Sequence, residues 1–212
     1  MVNRQYSFSK GVGVCKTEGI ILKSADWGDL DRLLTVYTRG YGKIQTRAIS
    51  ARKKESKLNG LLQSFTRGQF LLAKSKTIDI VTDLEVADSY FYLHSHLVNL
   101  GYAYYFSELI DKLIPSPERD DNVWRLVSRV FEVLNSPQPP LKLRGGEGEL
   151  SQIKIAFEDK LLEFLGQPSL KLWLASHSKP SQYGKILSVQ RLNYLQSLAG
   201  EQINSQKFLA QI

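Results

Sequence analysis

Hydrophobic and polar positions change their rhythm once along this chain. From residue 18 to about residue 86 they recur with the period of strands. Gly19-Ile20-Ile21-Leu22-Lys23 is a short apolar run, and Leu33-Leu34-Thr35-Val36-Tyr37-Thr38 is rich in β-branched and aromatic side chains. The two glycines of Arg39-Gly40-Tyr41-Gly42 suit a hairpin turn, and residues 43–50 then alternate polar with apolar as a half-buried strand does. Residues 56–63 break the period and predict a helical turn or two. Residues 65–74 and 77–84, joined at Ser75-Lys76, predict two further strands.

Beyond Asp88 the period becomes helical. Leu93, Leu97, Leu100, Tyr104, Leu109, Ile110 and Leu113 fall near one face of a segment from Tyr90 to Ile114, which Pro115 and Pro117 stop. Asp120, Asp121 or Asn122 caps a second helix, striped by Val123, Val127, Val130, Phe131 and Leu134. Leu150, Ile153, Phe157, Leu161 and Leu165 mark a third helix ending at Gly166 and Pro168, and Leu192, Leu195 and Leu198 mark a fourth. Residues 136–149, rich in proline and glycine, predict an exposed insertion between the second and third helices. The order strand, strand, strand, short helix, strand, strand is that of an OB-fold. The expected class is therefore α+β, an N-terminal five-stranded OB-fold β-barrel followed by a C-terminal helical bundle domain. The division falls into residues 1–86 and 87–212.

Charge sharpens this division. The net charge is +7, yet residues 1–80 hold 15 lysines and arginines against 6 acids, whereas the rest hold 13 against 15. The basic surface belongs to the barrel, where it serves either a polyanionic ligand or solubility. Arg52, Lys53, Lys54 and Lys57 place four cations within six residues directly after the third strand. Lys43 and Arg47 alternate onto one face of that strand, so strand and loop predict a continuous basic track. Trp27, Tyr37 and Tyr41 lie nearby. Aromatic rings beside a cationic groove are how OB-folds hold single-stranded nucleic acid. Tyr37 serves equally well as barrel core, while Tyr41, in the hairpin turn, is expected to be exposed.

Catalytic patterns are absent from the sequence. His94 and His96 are two apart in a helical segment and share no face, so both are expected to face solvent. Asp26, Asp29 and Asp31 lack the spacing of a calcium loop and read as a polar turn. Gly145-Gly146-Glu147-Gly148 lacks the Lys-Ser or Lys-Thr of a phosphate loop. Cys15 is the only cysteine, which excludes an internal disulfide and thiolate zinc sites. No apolar run is long enough for a membrane span, and the first ten residues lack a secretory signal core. The expectation is a cytoplasmic protein with no metal, no cofactor and no membrane association.

Several stretches together resemble a known family. Glu18-Gly-Ile-Ile-Leu-Lys23, Trp27-Gly-Asp-Leu-Asp-Arg-Leu-Leu-Thr-Val-Tyr-Thr38, Gly42-Lys-Ile44, Ala51-Arg-Lys-Lys-Glu-Ser-Lys-Leu58 and Leu61-Leu-Gln-Ser-Phe65 are similar, in order and spacing, to the N-terminal domain of the RecO family. Residues 100–113 and 157–166 resemble its helical part. The resemblance implies a non-enzymatic recombination mediator in DNA repair. Such a protein binds single- and double-stranded DNA (ssDNA and dsDNA) and anneals complementary strands. With RecR it helps load RecA onto strands covered by single-strand-binding protein, whose acidic C-terminal tail it contacts. It also implies a nucleoid-associated location and a DNA surface that includes Lys43, Arg47, Arg52, Lys53, Lys54 and Lys57, to which the reading of the residues adds Tyr41. Many members hold zinc through cysteines shortly after the position of Gly166, and residues 167–173 contain none. On the residues alone, an RNA-binding OB-fold protein and an interaction adaptor remain alternatives, and scattered acids disfavour a nuclease.

Overall fold

A computed structural model describes residues 13–137, 147–169, 187–209 and 211. The long first strand, β1 (Val14–Trp27), organises the N-terminal half. Residues 14–20 of β1 pair antiparallel with β4 (Arg67–Ala73), and residues 19–27 pair with β2 (Asp31–Thr38) across a bulge between Ile21 and Lys23. A bulge increases local twist, and here it lets one strand serve both neighbours. β3 (Gly42–Ala48) follows β2 through the predicted hairpin, and β5 (Asp79–Asp88) pairs with β4 and, in parallel, with the end of β3. The result is a closed barrel in the order β1-β2-β3-β5-β4, the OB-fold arrangement.

The helix expected at residues 56–63 is instead a chain of turns. Its backbone bonds run three residues back, from Ser56 to Lys53, Asn59 to Ser56 and Leu61 to Leu58. Ser56 and Asn59 offer the backbone local polar partners, and Gly60 adopts φ +80, so no helical register propagates. Leu58 and Leu62 still reach the barrel core beside Ile21, Leu34, Val36, Ile44, Phe70 and Val81.

Among the described residues the helical half comprises α1 (Phe91–Ser95), α2 (Leu97–Leu113), α3 (Asp121–Leu134), α4 (Glu147–Phe164), α5 (Leu187–Ala199) and α6 (Ser205–Leu209). The first expected helix is therefore two, broken at His96, whose backbone is extended (φ −123, ψ 107). Asp120 caps α3, its Oδ1 accepting from the backbone N–H of Asn122 at 2.7 Å and Val123 at 3.2 Å. Residues 138–146 of the expected insertion lie outside the described residues.

Barrel and helices share a core. Ile20, Leu22, Tyr37 and Phe65, on the outside of the barrel, are buried with Leu93, Phe106, Leu109, Trp124, Phe131 and Phe157 of the helices. Tyr37 stacks on Trp124 at 6.4 Å and 9°, and Phe65 meets Phe131 at 5.5 Å. Arg67 clamps the junction: its guanidinium lies 5.9 Å from the Trp124 ring and bonds Glu18 of β1 at 2.7 Å and Glu132 of α3 at 3.0 Å. The β2–β3 hairpin tip presses on the segment after α2. A side chain at Gly42 (φ +66) would place its Cβ 1.8 Å from the Glu118 carbonyl oxygen.

Candidate nucleic-acid interface

Ile44 and Ala48 point into the barrel core, so Lys43, Gln45 and Arg47 point outward, as the alternation predicts. The outward face is not uniform. At its hairpin end the helices cover it. Lys43 is there, its side chain only 12% exposed, with its ammonium bonded to the Asp111 backbone carbonyl of α2 and 3.6 Å from the Asp111 carboxylate. Burial pulls its pKa below the ordinary lysine range, against the pull of Asp111. Lys43 is thus an interdomain contact rather than part of a basic track.

Tyr41 is a second correction. It packs half-buried against the barrel core and shares a hydrogen bond with Cys15; burial and that contact push its pKa up to about 12. It stands at the opposite end of β3 from the lysine-rich loop, a strand length or roughly 20 Å away. Tyr37 is wholly buried under Trp124, in the core that the outside of the barrel shares with the helices, so it is neither barrel core nor an exposed stacking ring. Neither tyrosine is placed to stack on a base at the basic loop.

At the other end of the barrel three connections converge. The β1–β2 turn and the segment after β3 are tied by the Arg52 N–H, which donates to the Leu30 carbonyl at 2.9 Å, and by the Ser50 N–H, which donates to Asp31 Oδ1 at 2.7 Å. The β4–β5 turn, with Lys74 and exposed Lys76, is brought alongside because Thr46 pairs with Asp79. Lys53, Lys54 and Lys57 are exposed here, and among the described residues their side chains form no hydrogen bond or ion pair. The arginines are different. Arg47 Nε lies 2.6 Å from Asp31 Oδ2. Arg52 bonds the Asp29 carbonyl at 3.2 Å and the Asp26 carboxylate at 3.3 Å. The bonds from the Ser50 backbone and Arg47 hold the Asp31 carboxyl below the ordinary carboxylate range. Sequence reasoning missed that Asp26 and Asp31 are counter-charges to these arginines. The signal was available: three acids in a turn that precedes a strand paired with the arginine-bearing one.

His94 is only partly exposed, packed 5.9 Å from Phe65, and its Nε2 is buried, so it does not face solvent; His96 is exposed and stacks on Tyr92. Lys154 turns inward to the buried Glu158 at 3.0 Å and the Tyr105 ring at 4.8 Å. Arg129 and Lys160 instead flank an apolar groove of about 400 Å³ between α3 and α4. A thiolate zinc centre does not fit this chain. Cys15 lies in β1 against Tyr41, and the stretch after Gly166 offers no cysteine. Among the described residues no three His, Cys, Asp or Glu side chains are grouped to hold a metal, and no helix is long and apolar enough to cross a membrane.

Comparison with known proteins matches both halves. Residues 13–90 match the family described as Recombination protein O N terminal, and residues 94–171 match Recombination protein O C terminal. The chain belongs to the RecO family. It is 32% identical over 151 residues to the DNA repair protein RecO of Pelotomaculum thermopropionicum, covering 71% of this chain and 55% of that one. Against the DNA repair protein RecO of Moorella thermoacetica the identity is 33% over 154 residues, covering 73% and 54%. That of Alkaliphilus metalliredigens is 29% identical over 151 residues, covering 71% and 58%. The chain thus spans about half the length of the curated RecO relatives it matches. Membership places it among DNA repair proteins with an OB-fold and a helical part.

Proposed function

We propose that this chain is a DNA-binding recombination mediator. It binds ssDNA and dsDNA, anneals complementary strands, and acts with RecR to help load RecA onto strands covered by single-strand-binding protein. One observation carries the reading: Lys53, Lys54 and Lys57 stand exposed and, among the described residues, unpaired on the loop end of a RecO-family barrel. Cations without an internal partner are free to neutralise phosphates and release counterions, the main source of sequence-independent affinity. Annealing then follows from lowered repulsion between two backbones whose bases stay free to pair. No covalent step is required, and the chain acts where the nucleoid is, in the cytoplasm.

The groove between α3 and α4 suits the acidic C-terminal tail of a single-strand-binding protein. Leu126, Val130, Val133 and Phe157 supply an apolar floor, and Arg129 and Lys160 supply positive rims for the tail's carboxylates. Their own pairs, with Glu132 at 3.6 Å and Glu163 at 2.7 Å, are exposed and weak enough to be exchanged for a ligand carboxylate.

The test is annealing of complementary labelled oligonucleotides at several salt concentrations, with Lys53→Ala/Lys54→Ala/Lys57→Ala compared with the parent. Loss of annealing, and a dependence of single-strand affinity on salt flattened by about 2 logarithmic units per decade, is the expected result. A parent protein that neither binds nor anneals DNA at low salt ends the mediator reading.

A further inference from the structure

The outward face of β1, β2 and β3 carries, beyond the part that the helices cover, an apolar strip with no partner among the described residues. Leu34, Val36, Ile44 and Ala48 fill the barrel, so Asp31, Leu33 and Arg47 point out. The register sets Ala25 opposite Leu33 and Leu33 opposite Arg47, and sets Trp27 opposite Asp31. Directly opposed residues share a face, so Trp27 and Ala25 point out as well. Ile49 follows Ala48, the partner of Arg32, and is brought beside the same row by the bond from Ser50 N–H to Asp31. Trp27 is 46% exposed, Leu30 40% and Ile49 48%, three large apolar side chains open to water at one end of the barrel.

The surroundings indicate what covers this strip. Arg47 lies in it and Arg52 beside it, tied to Leu30 through its backbone, with Lys53 and Lys54 next in the chain. Arg47 and Arg52 have Asp31 and Asp26 as counter-charges, but Lys53 and Lys54 have none among the described residues, and a protein partner's apolar patch would leave those two desolvated. A nucleotide chain meets both demands at once, because it alternates flat apolar bases with anionic phosphates. In a duplex the bases are stacked on one another and their faces are unavailable.

We propose that Trp27, supported by Leu30 and Ile49, is a stacking platform for an unpaired base, and that it makes this surface prefer single strands to duplex. The inference rests on the mediator reading above and adds to it a division of labour. The lysines hold any phosphate backbone, whereas the tryptophan selects a strand whose bases are free. A site that gives up its base on pairing holds the duplex product less tightly than the single strand, so the product is released.

The test measures binding of fluorescein-labelled oligothymidylate and of the matching duplex by fluorescence anisotropy, for the parent protein, Trp27→Ala and Trp27→Phe. Trp27→Ala is expected to weaken single-strand binding roughly tenfold or more, the loss of about one stacked base, and to leave duplex binding within about twofold. Trp27→Phe, which keeps an aromatic face, should retain most of the affinity. An abasic strand of equal length, which keeps the phosphates and lacks the bases, should bind the parent no better than oligothymidylate binds Trp27→Ala. Unchanged single-strand binding in Trp27→Ala, an equal loss on both substrates, or tight binding of the abasic strand overturns the platform while leaving the mediator reading in place. A parent protein that binds no DNA overturns both.

Discussion

Lys43 and Arg47 stand on the same face of the same strand, four residues apart, and have different roles. At Lys43 the helices lie over the barrel, and the ammonium is held by Asp111 from 68 residues away. At Arg47 the face is open, and the guanidinium is held by Asp31 from the neighbouring strand. A positive side chain on a barrel face is therefore not by itself a ligand contact. What separates the two is the cover over the cation itself: the Lys43 side chain is 12% exposed and that of Arg47 43%.

The covered half should show the larger effect. Trp124→Ala removes the ring that Tyr37 stacks on and that Arg67 overlies. A loss of about 3–5 kcal/mol is expected in urea denaturation, typical of an aromatic truncated in a core. DNA affinity per folded molecule should be nearly unchanged, and a large affinity loss at full folding would erase the distinction between the two halves. On the open half, Asp26→Asn withdraws the carboxylate from Arg52, and from Arg32 at 3.7 Å. Single-strand affinity should rise by about threefold at low salt, within the small range of exposed ion pairs, and unaltered or lower affinity would show that Asp26 does not compete with phosphate. The smallest effect concerns acid stability. The folded-state pKa of Asp31 is depressed, so its contribution is present above the unfolded value near 3.9 and is lost as pH falls below that through the folded value. Asp31→Asn should lose stability at neutral pH and show a shallower decline than the parent below about pH 4. Parallel urea midpoints from pH 7 to pH 3 would argue against it.

Much of this contrast was legible in the chain. Period-two alternation put Lys43, Gln45 and Arg47 on one face, the glycines placed the hairpin, and the cationic cluster marked the loop end of the barrel. Alternation reports which side of a sheet a residue faces, but not what else packs on that side. Asp111 and Trp124 lie far along the chain from Lys43 and Tyr37, and no local pattern announces such contacts. Tyr41 was misjudged for a related reason: a turn residue beside a barrel can fold back, and Cys15 awaited it across β1. The turns at residues 56–63 kept their leucines in the core while their serine, asparagine and glycine refused the helix, so burial was readable where backbone form was not.

The shared core bears on how this protein can be taken apart. The two family matches divide the chain at about residue 90, which is a division of sequence. A fragment ending there would carry Ile20, Leu22, Tyr37 and Phe65, all nearly inaccessible in the whole chain, out into water on the face that the helices cover. Such a fragment would meet nucleic acid with a sticky flank, and its apparent affinity would mix adhesion with recognition. Dissecting the two activities therefore calls for point substitutions within the intact chain, since the halves have been made into one object by the residues that join them.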